Sequence, residues 1–114
     1  GGERQRAAIA QLLAQQAQYY LLDEPLQQLD LRHQSQVMRV FSHLKAEGRA
    51  LVMVLHDIVW AQRCCDHILL LFPDGRSLHG SRSDMLTREH LESLYQCPLR
   101  QFAGQGETCF LPGV

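Results

Sequence analysis

Apolar runs broken by glycine, proline and aspartate divide the chain into short elements. Ile9, Leu12 and Leu13 stand at i, i+3, i+4 spacing, with Ala8 and Ala17 on adjoining arcs. This predicts a helix over about residues 3–16 with one apolar face. Residues 19–23 form a continuous apolar run closed by Pro25, too short for a helix, and fit a strand buried on both faces. A second helix is predicted over 31–47. Asp30 stands at its N-cap, Val37, Val40, Phe41 and Leu44 form its stripe, and Gly48 is its stop. Residues 50–55 read as a second apolar strand ended by His56 and Asp57, and 58–65 as a short helix capped by Asp57. Residues 68–72 read as a third strand. Pro73-Asp74-Gly75 is a turn signal that folds 76–79 back as a hairpin partner. A helix over about 87–95 follows, then a weak hairpin turning at Gly104-Gln105-Gly106.

Strands alternating with helices predict an α/β fold with a parallel sheet. A length of 114 residues suits one small domain with a real core. Hydrophobic content of 46% and charged content of 20% are ordinary for a globular protein. The formal net charge of -1 offers no basic footprint for nucleic acid and no polybasic patch for anionic lipid. No apolar run approaches the ~18 residues of a membrane-spanning helix. Cys64, Cys65, Cys97 and Cys109 lack the spacing of a disulfide framework, so reduced thiols are expected. A zinc site from Cys64, Cys65 and His67 lacks the usual C-x-x-C spacing.

In α/β sheets, chemistry collects where strands end and helices begin. At the end of the first strand, Asp23 can hold a hard cation such as magnesium through oxygen, and Glu24 can polarise a water. After the second strand, His56 offers an imidazole to a transferring phosphoryl oxygen. Gly1 and Gly2 open a helix whose N-terminus suits an anion. Each feature alone also fits a solvated loop or a flexible turn. Their joint order and spacing give the combination its weight.

The segments "GGERQR", "YYLLDEP", "LQQLD" and "VLHD", in that order, resemble the latter half of an ABC-type ATPase domain. "GGERQR" looks like the end of the signature motif, with Glu3 in place of the usual glutamine. "YYLLDEP" is similar to Walker B with its following glutamate, "LQQLD" to the D-loop, and "LHD" to the switch histidine. The resemblance implies a partial P-loop NTPase fold, with parallel strands alternating with helices and a C-terminal β-hairpin and helix. It implies that residues 1–114 are the C-terminal half of one such domain, with the Walker A half elsewhere.

The same resemblance implies ATP and Mg2+ as cofactors. Asp23 would act on the magnesium, Glu24 would be the general base, and His56 would contact the γ-phosphate. Gly1, Gly2 and Glu3 would face ATP held by an opposite subunit, and Asp30 would belong to the loop coupling the two sites. Leu26, Gln27 and Gln28 depart from the usual threonine-serine-alanine. No G-x-x-x-x-G-K-[ST] loop occurs in the 114 residues, so these residues alone are expected not to hydrolyse ATP.

The segment after His56 resembles that of cobalamin and iron-chelate importer subunits, with "LRQF" and "CFLPGV" most similar to the cobalamin subunit. The implied partners are a second ATPase subunit, integral-membrane permease subunits and, indirectly, a periplasmic binding protein. The implied location is the cytoplasmic face of the inner membrane. Two other classes compete: a non-transport ABC ATPase of DNA repair or chromosome organisation, and a truncated, non-catalytic interaction piece. The near-neutral charge argues against the first, and the intact Asp23, Glu24 and His56 argue against the second. A half-domain of this family is also expected to leave an apolar sheet surface uncovered.

Overall fold

The computed structural model describes residues 2–113. The elements run α1 (Gly2–Ala14), β1 (Tyr19–Asp23), α2 (Leu31–Ala46), β2 (Ala50–Val54), α3 (Ile58–Cys64), β3 (His67–Leu71), β4 (Ser77–Ser81), α4 (Arg82–Met85), α5 (Arg88–Tyr95), β5 (Leu99–Gly104) and β6 (Glu107–Pro112). The chain divides into two compact units, the first ending at Ile58 and the second beginning at Val59.

The first unit is built on a parallel pair. β1 runs alongside β2 from Tyr19↔Ala50 to Asp23↔Val54. Parallel neighbours need a crossover, and α2 supplies it. Asp30 starts α2 by accepting the His33 backbone N–H at 2.9 Å, one of the donors a helix N-terminus leaves unpaired. Gly48, at φ +87°, ends the turn that follows α2, a conformation a side chain would resist. The stripe of α2 is Val37, Met38 and Phe41. Val40 is exposed, contrary to the spacing-based expectation, because the face turned inward is rotated toward Met38.

The expectation of strands buried on both faces is also corrected. Tyr20 and Leu22 are 3% and 5% exposed, whereas Tyr19 and Leu21 are each 78% exposed. The helices of this unit cover one face of a two-stranded sheet. Tyr19 and Leu21 lie beside the exposed Val52 and Val54 of β2 on the other.

In the second unit, β3 pairs with β4 antiparallel, so among the described residues the parallel pattern is confined to β1 and β2. The Pro73-Asp74-Gly75 turn closes locally. Gly75, at φ +91°, donates its N–H to the Phe72 carbonyl at 3.0 Å, and the Phe72 N–H reaches the Arg76 carbonyl at 2.9 Å. Asp74 accepts from the Arg76 backbone and side chain, which hold its carboxyl below the usual aspartate value. Ile68, Leu70 and Phe72 are the buried core, with Ala61, Cys65, Met85, Leu86 and Leu94 packed against them. The four-residue helix α4, capped by Ser81, falls where the sequence offers no periodicity to read. Thr87 caps α5, and Leu91 is fully buried. β5 and β6 form the expected hairpin around Gln105 and Gly106, both at positive φ. Gln62 and Arg63 of α3 bind Thr108 and Glu107 of β6.

Candidate functional site

Parallel pairing places the C-terminal ends of β1 and β2 side by side, with Asp23 opposite Val54. Glu24 continues from Asp23 and His56 follows two residues after Val54, so both side chains leave the same edge of the sheet. The His56 Nε2 pairs with a carboxylate oxygen of Glu24. Asp23 is exposed and Glu24 half-buried. The structure thus unites three of the residues that the sequence singles out.

The backbone of Glu24 is unusual. Its φ is +49°, in the left-handed region, where a non-glycine residue costs about 1–3 kcal/mol. The following Pro25 narrows its choices further. Two bonds hold this geometry from nearby. The Glu24 N–H donates to the Val54 carbonyl at 3.0 Å, which continues the ladder one step beyond the strands. The Glu24 carbonyl accepts the Gln27 N–H at 3.2 Å, closing a turn over Pro25 and Leu26. A third bond arrives from α1, where the Gln5 side-chain amide donates to the same carbonyl at 3.2 Å. Sequence reading passed over Gln5. It stands four residues before the buried Ile9, on the apolar stripe of α1, where a polar side chain needs a partner.

The remaining site candidates are placed differently. Gly1 lies outside the described residues, and Gly2 begins α1. Glu3 is an exposed acid in the first turn of α1, where it complements the positive end of the helix. The Asp30 carboxylate is engaged with His33, through the backbone N–H and the imidazole Nδ1 at 2.7 Å. The His33 N–H, foremost among several effects, holds the Asp30 carboxyl below its usual value. In this structure Asp30 is a helix cap.

An exposed carboxylate at Asp23 suits a hard cation that completes its shell with water and phosphate oxygens. Among the described residues there is no group of three or more His, Cys, Asp or Glu side chains that would hold a metal by itself. That includes the region of Cys64, Cys65 and His67. No disulfide joins the cysteines of the described residues. A single carboxylate such as Asp23 can serve a metal whose other ligands are water or phosphate oxygens. A half-buried carboxylate fixed by its backbone and faced by an imidazole is equipped to take a proton from a water beside that metal.

No family model matches the chain. Among curated proteins it is 40% identical over 114 residues to the hemin import ATP-binding protein HmuV of Rhodococcus jostii, covering 98% of this chain and 39% of that protein. It is 38% identical over 113 residues to the petrobactin import ATP-binding protein FpuC of Bacillus anthracis, covering 98% of this chain and 42% of that protein. The chain thus spans about two fifths of the length of these relatives. Among solved structures, one described as an inward-facing conformation of a metal-chelate type ABC transporter superposes with a TM-score of 0.85. It shares 28% sequence identity, and the match covers 97% of this chain and 46% of that one.

Proposed function

We propose, from its likeness to the ATP-binding proteins of ABC-type importers, that the chain is the part of an ATPase subunit that activates water and senses the γ-phosphate. The observation that carries this reading is the convergence of Asp23, Glu24 and His56 at one edge of the β1–β2 pair. Mg2+-ATP, when bound, supplies the electrophilic phosphorus and the charge neutralisation. Asp23 presents its carboxylate to the magnesium shell. Glu24 orients the attacking water and takes its proton. His56 holds the Glu24 carboxylate and offers its imidazole to the γ-phosphate. The phosphate cradle and its lysine come from a segment outside residues 1–114, because no such motif occurs within them. Gly1, Gly2 and Glu3 face the nucleotide of a second subunit, and Asp30 lies on the loop joining the two sites.

The subunit works in a pair on the cytoplasmic face of the inner membrane, docked on permease subunits, with a periplasmic binding protein delivering the cargo. No helix among the described residues is long and apolar enough to cross a membrane, which suits a peripheral subunit. For cargo we favour an iron-bearing chelate. The relatives named above carry hemin and petrobactin in their descriptions, and these support the iron-chelate branch over cobalamin. Membrane vesicles holding the complete subunit with its permease test this directly. ATP-driven uptake of hemin or a ferric siderophore is expected. Uptake of cobalamin alone would reassign the cargo, and absence of any nucleotide-driven uptake would overturn the transport reading.

A further inference from the structure

We infer that Gln5 is a positioning residue for hydrolysis, acting through the backbone of Glu24; this rests on the reading of Glu24 as the base. Gln5 is half-buried on the stripe of α1 that also holds Ile9. An amide on such a stripe is costly unless it is hydrogen-bonded. Its donor reaches the Glu24 carbonyl across 19 positions of sequence.

Glu24 sits at φ +49°, and a non-glycine residue stays there only where its surroundings over-determine it. Three bonds do so. The one to Val54 anchors the N–H side of the residue to β2, and the one from Gln27 belongs to the turn itself. The bond from Gln5 comes from a separate helix and fixes the carbonyl against the body of the unit. Without it the peptide plane after Glu24 rotates with the turn, and the carboxylate swings relative to Asp23 and His56. A misplacement of about 1 Å at a reacting group can cost about 100-fold in rate. Gln5 acts through the Glu24 backbone, so its loss is expected in kcat rather than in nucleotide binding. The same bond ties α1, whose first turn holds Gly2 and Glu3, to the loop of the base.

The complete ATPase subunit is the material for the test. Gln5→Leu, similar in size but without a donor, is expected to lower kcat about tenfold while KM for ATP stays within about twofold. Gln5→Lys, which keeps an N–H donor of sufficient reach, is expected to restore most of the rate. Amide hydrogen exchange at Gln27, whose N–H shares the Glu24 carbonyl, is expected to quicken about tenfold in Gln5→Leu and to remain near wild type in Gln5→Lys. Should Gln5→Leu fail to fold, Gln5→Asn keeps the amide but falls a methylene short, and is expected to behave the same way.

Wild-type kcat and unchanged Gln27 exchange in the donor-less variant would overturn the inference, as would a lysine variant no better than the leucine one. Glu24→Gln is run beside them. If its hydrolysis matches wild type, the reading of Glu24 as the base has failed. If hydrolysis depends on Glu24 but not on Gln5, only the role of Gln5 has failed.

Discussion

Glu24 occupies a backbone conformation that glycine adopts freely and glutamate does not. Its side chain is therefore kept there at a cost in stability. Glu24→Gly should unfold at a temperature no lower than wild type in calorimetry, while ATP turnover by the complete subunit falls about 100-fold or more. At Asp30 the sign of a pH effect follows from its lowered carboxyl. A depressed value in the folded state means stability that is present above the unfolded value of 3.8 and is lost as pH falls through the lower folded value. Thermal melts of Asp30→Ala should therefore lie below wild type at neutral pH. The gap should narrow as pH drops below about 4. The acids and the histidine were legible as residues because each follows an apolar run directly. Gln5 was not, since a glutamine on a helix surface and a glutamine reaching a distant carbonyl are written identically.

Elements with local determinants were the readable ones. The Asp30 cap, the Pro73-Asp74-Gly75 turn and the Gly104-Gln105-Gly106 turn all stand where sequence places them. Each depends on residues within a few positions of one another. Spacing points to Val40, yet Met38 is the buried residue, because the inward face of α2 is set by what packs on it and not by spacing alone. The four residues of α4 carry too little pattern to be read at all. The final hairpin allows a clean test of turn chemistry. Gln105 and Gly106 occupy the two central positions at φ +51° and +77°, the arrangement asparagine-glycine favours. Gln105→Asn should stabilise this hairpin, and Gly106→Ala should destabilise it by about 1 kcal/mol, both read from denaturant midpoints.

For the whole molecule, the parallel β1–β2 pair carries both the proposed site and an exposed apolar face. Its C-terminal edge gathers the site, while one of its faces shows Tyr19, Leu21, Val52 and Val54. The all-apolar run of β1 had suggested two covered faces. What it records is the need for a cover on the second face, which the helices of this unit do not provide. The 114-residue chain should accordingly self-associate at micromolar concentration, and Leu21→Lys with Val52→Lys should render it monomeric in sedimentation velocity. A wild-type chain that sediments as a monomer would contradict this.

The most direct test is the steady-state rate of magnesium-dependent ATP hydrolysis by the complete subunit, compared with Glu24→Gln at saturating nucleotide. A fall of about 100-fold or more, with ATP still bound, is the predicted result. Equal turnover in the two proteins would contradict the assignment of Glu24 and, with it, the account of the site.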